Sequence, residues 1–142
     1  MEISDIRRRV RTTLEETRKA SAERRARSEA AQVAYRAFLR DIATPVFRMF
    51  GNVLKAEGYS FTIHTPPDTV RLVSDRHDED YVEMWLDTSL DPPQVGTRSN
   101  VQHGRDMLSR EGLLRPGASI VALTDEDVLA YLLGEIGRIV ER

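Results

Sequence analysis

Residues 59–87 read YSFTIHTPPDTVRLVSDRHDEDYVEMWLD, and their hydrophobic period is two. Tyr59, Phe61 and Ile63 alternate with Ser60, Thr62 and His64. Val70, Leu72 and Ser74 alternate with Arg71, Val73 and Asp75. Val82, Met84 and Leu86 alternate with Tyr81, Glu83, Trp85 and Asp87. Successive side chains of a strand point to opposite faces, so each run has an apolar side and a polar side. Pro66-Pro67-Asp68-Thr69 and the polar run Arg76 to Asp80 are turns. Such short connections between half-buried strands are hairpins, and they predict an antiparallel meander with one wet face. Asp91-Pro92-Pro93 turns the chain again, and Gln94 to Gln102 reads as a weaker fourth strand. Beyond it, Arg105 to Glu111 suits a short helix stopped by Gly112. Ser119 to Leu123 suits a short fifth strand, so the sheet has four or five strands.

Upstream of this sheet the period is helical. From Ile3 to Asp41 there is no Gly and no Pro, and Ala, Arg and Glu dominate. These are good helix formers. Ser4 or Asp5 can cap the start, and Asp5–Arg9, Glu15–Lys19 and Glu23–Arg27 are acid-before-base pairs four residues apart. The apolar stripe begins with Ile3, Ile6, Val10 and Leu14. It fades through Thr17, Ser21, Arg24 and Ser28, then returns at Ala31, Tyr35, Phe38 and Ile42. About 40 helical residues make a rod of roughly 60 Å, whereas a compact domain of this length is on the order of 30–35 Å across. The first half of the helix therefore projects unless it breaks. Its polar middle disfavours a long uninterrupted coiled coil, while the Ala-rich run from Ala20 to Ala34 permits close helix packing.

Thr44-Pro45 reads as a boundary, Thr as N-cap and Pro in the first turn, with a second helix to Glu57 and Gly58 as its C-terminal cap. At the other end of the chain, Thr124 caps a last helix with Asp125, Glu126 and Asp127 in its first turn. Val128, Leu129, Leu132, Leu133, Ile136, Ile139 and Val140 give that helix a broad apolar face to lay on the sheet. Gly134 and Gly137 suggest close approach of another element. The expected class is α+β: a long N-terminal helix and a second helix, an antiparallel meander, and a C-terminal helix packed on one sheet face. Residues 1–42 form a helical extension for oligomerisation or docking, and residues 43–142 a two-layer body.

Composition narrows the function classes. The chain has 142 residues and no Cys, which removes thiol nucleophiles and Cys-ligated zinc and suits a reducing, cytoplasmic setting. No run approaches the ~20 apolar residues of a membrane span, and the N-terminus has no apolar signal core. The formal charge of −2 hides an asymmetry. Residues 1–58 hold thirteen basic and eight acidic side chains, and residues 59–142 hold eight and fifteen. The two halves are suited to attract each other, within a monomer or across a dimer.

Three groups of residues are candidate sites. The first is the stripe Ile3, Ile6, Val10 and Leu14, a partner interface because a projecting apolar stripe needs cover. The second is the wet sheet face, where alternation collects His64, Arg71, Glu83, Trp85, Asp87 and Arg98. Arg71 and Arg98 suit an anionic ligand, Trp85 a stacking platform, and His64 with Glu83 proton exchange. The plain alternative is an ordinary outer face with its Trp covered by Arg stems. The third is the basic start Arg7, Arg8, Arg9 and Arg11, which could track phosphates of nucleic acid. Its charges circle the helix, acids interleave, and no aromatic residue precedes Tyr35, so nucleic acid is disfavoured. Asp75, His77, Asp78, Glu79 and Asp80 fail the EF-hand spacing and read as a solvated turn. No phosphate-binding, dinucleotide, nucleophile-elbow or HExxH motif is present, so no metal, cofactor or catalytic residue is expected. The leading expectation is a non-enzymatic protein-interaction module of a bacterial-type soluble protein. It would self-associate as a homodimer, or dock to another protein, through the N-terminal helix. A small-ligand protein or enzyme using the sheet face, and nucleic-acid binding, are the alternatives.

Overall fold

The computed structural model describes residues 1–140. Helix α1 (Ile3–Phe38) starts after Glu2, whose carbonyl accepts the N–H groups of Asp5 and Ile6. No side chain caps it. Asp5 instead accepts a 2.7 Å hydrogen bond from Arg8, three residues on. The boundary expected at Thr44-Pro45 is not a break. A π-helical turn (Leu39–Ala43) carries the chain directly into α2 (Thr44–Ala56), and residues 3–56 are helical throughout. Pro45 has no N–H to donate, and in an α-helix its ring crowds the carbonyl four residues earlier. The widened turn absorbs that extra bulk, with the Thr44 N–H donating to the carbonyl of Leu39, five residues back. The helix ends as its sequence indicates. Gly58 has φ +94°, and the Tyr59 N–H returns 2.8 Å to the Leu54 carbonyl.

Five antiparallel strands follow in meander order: β1 (Phe61–His64), β2 (Val70–Ser74), β3 (Tyr81–Asp87), β4 (Gln94–His103) and β5 (Asp106–Leu113). The short helix expected at 105–111 is strand β5. His103 pairs with Asp106 across a two-residue turn, with Gly104 at φ +63° in its first position. That geometry matches the twist of a hairpin and locks the following residues into the ladder. The strand expected at 119–123 is a single 3₁₀ turn (Ile120–Ala122). Ile120 and Leu123, three residues apart, are both buried while Val121 is exposed, a helical rather than alternating pattern.

The core lies between one sheet face and the helices. Val70, Leu72, Val82, Met84, Val95 and Val101 meet Ala43, Val46 and Phe47 of the π turn and α2. Val128, Leu132 and Ile139 come from α3 (Asp125–Val140). The last part of α1 joins this core through Ala31, Tyr35 and Phe38, so packing of the body extends into residues 1–42. Thr124 and Asp127 cap α3 reciprocally: Thr124 Oγ1 accepts the Asp127 N–H, and Asp127 Oδ2 accepts the Thr124 N–H at 2.9 Å. Gly134 and Gly137 do not mark a close approach, because a Cβ added at either meets nothing within 4 Å among the described residues. Between α3 and β4, Glu135 is buried and accepts from Ser99 Oγ and Arg138 Nη1, both at 2.9 Å, with Arg110 Nη1 at 3.4 Å.

Candidate functional site

The outer face of the sheet carries a row of charged side chains set by register. His64 lies opposite Arg71, Arg71 opposite Glu83, Glu83 opposite Arg98, and Arg98 opposite Glu111. Directly opposed residues interact across a strand pair, and here the signs alternate from Arg71 onward. Arg71 Nη2 is 2.7 Å from Glu83 Oε2, Arg98 Nη1 is 3.2 Å from Glu83 Oε1, and Arg98 Nε is 2.9 Å from Glu111 Oε1. Although it faces outward, Glu83 is only 3% exposed. The two arginine side chains cover it, and its charge is compensated on both sides, as a desolvated carboxylate requires.

The arginines also sit on aromatic rings. The Arg71 guanidinium is 4.7 Å from the Tyr81 ring centre, and that of Arg98 is 4.9 Å from Trp85. Trp85 in turn lies against Gly96, its partner on β4. A Cβ at Gly96 would fall 2.7 Å from the indole Nε1, so the indole occupies the space a side chain would fill. The indole N–H is buried and has no hydrogen-bond partner among the described residues.

Five of the six residues expected on the wet face thus have a defined geometry: His64, Arg71, Glu83 and Arg98 in one row, and Trp85 beside it. Both guanidinia are already engaged by carboxylates, so an anion would have to displace Glu83 or Glu111. His64 is exposed on the edge strand β1, two strands from Glu83. At the strand spacing of a sheet that is about 10 Å, too far for direct proton transfer. Asp87 is occupied locally, accepting the N–H of Ser89 at 3.0 Å. In the acidic turn, Asp75 accepts hydrogen bonds from the hydroxyls of Ser60 and Thr62, which hold its carboxyl below the usual range. Asp80 is fully buried and its Oδ1 accepts the Gln102 N–H at 2.8 Å, a fixed hairpin anchor.

A second surface is the start of α1. Ile3, Ile6, Val10 and Leu14 are 45–75% exposed, and no residue before Ala31 is buried. Met1, Ile6, Arg9, Val10, Thr13 and Leu14 line one shallow hollow, so Arg9 shares the stripe's face. Arg7, Arg8 and Arg11 are exposed around it. The loop at Asp91 holds the helix farther along. Arg27 Nε and Nη2 donate to the two Asp91 oxygens, each at 2.9 Å, which raises the arginine's affinity for its proton and lowers that of the carboxylate.

A third surface was not foreseen from the sequence. Val46, Met49, Phe50 and Val53 of α2 and Leu129 and Leu133 of α3 line an apolar groove of ≈ 430 Å³, with Asp125 and Glu126 also in its lining. Met49, Val53 and Leu133 are each about 60% exposed. The expectation for α3 is a broad apolar face laid on the sheet. Each helix in fact carries more apolar width than one sheet contact covers, which the spacings 46, 49, 53 and 129, 133 already encode.

Among the described residues, no helix is long and apolar enough to cross a membrane. No protein-family model matches the chain, and no curated protein or solved structure is significantly similar to it.

Proposed function

We propose that this chain is a non-enzymatic interaction module that associates with itself through its N-terminal helix. One observation carries the reading: an apolar stripe on a helix that runs about 42 Å, at 1.5 Å per residue, before its first buried side chain. A helix of that length gains nothing from its own body along its first turns. Helices in proteins draw most of their stability from packing of an apolar face, so the stripe is best explained by cover from outside. A second copy is the commonest source of such cover. The absence of Cys suits a reducing compartment, and we take the module to act in the cytoplasm. The self-neutralised row on the sheet supports a structural role for Glu83 better than an anion site.

Sedimentation of the full chain at micromolar concentration tests the reading. The parent chain is expected to sediment as a dimer and the double variant Ile6→Asp/Val10→Asp as a folded monomer. Identical mass for the two proteins would refute it.

A further inference from the structure

We infer that the groove between α2 and α3 receives the Ile3–Leu14 stripe of a second copy, an inference that rests on the self-association proposed above. The two surfaces match in kind. The stripe presents Ile3, Ile6, Val10 and Leu14 at helical spacings of three and four. The groove presents Val46, Met49 and Val53 on one wall and Leu129 and Leu133 on the other, at the same spacings. An amphipathic helix laid into a two-helix groove is a standard mode of recognition, read through anchors at such intervals.

They also match in charge. Arg9 lies in the hollow formed by the stripe, and Arg7, Arg8 and Arg11 surround it. The groove lining includes Asp125 and Glu126. These acids open α3, where the backbone N–H groups already favour negative charge, and they leave an acidic rim for a basic helix. The asymmetry of charge between the two halves of the sequence thus has a place in space.

The stripe cannot fill its own groove. Leu14 and Val46 are joined by uninterrupted helix, so they are held about 48 Å apart along it. The occupant therefore comes from another molecule, and every copy supplies both halves of the contact. Reciprocal exchange closes as a dimer, whereas one-way insertion would propagate.

The chain has no native Cys, so a thiol pair can be placed without background. Val10→Cys on one chain and Met49→Cys on a second chain of different tagged mass put both thiols at exposed positions. The mixture is treated with a short bis-thiol cross-linker. The control pairs Val10→Cys with Val121→Cys, which is exposed and outside the groove. Links between positions 10 and 49 should exceed the control by roughly three orders of magnitude, the ratio of a millimolar effective concentration to micromolar protein. A dimeric mass with links only between two copies of position 10 would overturn the groove assignment while leaving self-association intact. Monomeric mass with no link above the control would overturn both.

Discussion

Replacing Gly96 by Ala tests whether the indole of Trp85 truly packs on bare backbone. An added Cβ would lie 2.7 Å from Nε1, 2.9 Å from Cε2 and 3.2 Å from Cδ1 of that ring. The first two distances are far inside van der Waals contact, and the ring is rigid, so it must move as a unit. Arg98 stacks on the indole and also holds Glu83, so the displacement spreads to the charged row. Overpacking of this kind costs about 1–3 kcal/mol. Ala also restricts the unfolded chain more than Gly, which offsets about 0.4–1 kcal/mol. The expected net loss is about 1–2 kcal/mol, a fall in Tm of roughly 3–8 °C for a chain of this length. Urea unfolding followed by tryptophan fluorescence reads both effects, because Trp85 is the chain's single Trp. Gly112→Ala is the control, since its Cβ would meet only Thr97 Oγ1 at 3.5 Å. Unchanged stability and unchanged emission in Gly96→Ala would refute the packing argument.

Other outcomes follow from the same geometry. Glu83→Gln leaves Arg71 and Arg98 without their shared charge. Because both guanidinia still reach solvent, the expected loss is about 2 kcal/mol rather than the larger cost of a sealed pair, and it is measured by denaturant titration. Gly134→Ala and Gly137→Ala fill open space on α3 and should each raise stability by about 0.5–1 kcal/mol; a loss in thermal unfolding would contradict the environment described. The hydrogen bond from Arg27 lowers the Asp91 carboxyl in the folded state. Its small stabilising contribution is therefore complete above the unfolded carboxylate pKa and fades as pH falls through the lower folded value. In a carbon-detected NMR titration, Arg27→Ala should return Asp91 to the ordinary carboxylate range.

The sheet was legible because period-two patterning specifies faces directly. Once Val70, Leu72, Val82 and Met84 are buried, Arg71 and Glu83 must share the opposite side, and hairpin turns bring them level. Depth was not legible: Glu83 is buried on the outer face by its arginine partners, a tertiary effect that alternation does not carry. Glu111 was missed because residues 105–111 have helix-forming composition, although the Gly104-Arg105 turn signal between two polar flanks was present in the sequence. The helix boundary at Thr44-Pro45 failed for a different reason. A proline stops an α-helix by a clash with one carbonyl, and a π turn removes that clash without ending the helix. The buried Glu135 cluster joins residues on β4, β5 and α3 that lie far apart in sequence, and no local spacing announces it.

The central claim is that the first turns of α1 exist to bind another molecule of the same chain. Light scattering of the intact protein beside a shortened chain beginning at Ser21 tests it most directly, because no residue before Ala31 is buried and the body keeps its core. The account predicts a dimer for the intact chain and a folded monomer, with the body's circular dichroism preserved, for the shortened one. A monomer in the first case, or a dimer that survives the truncation, would contradict it.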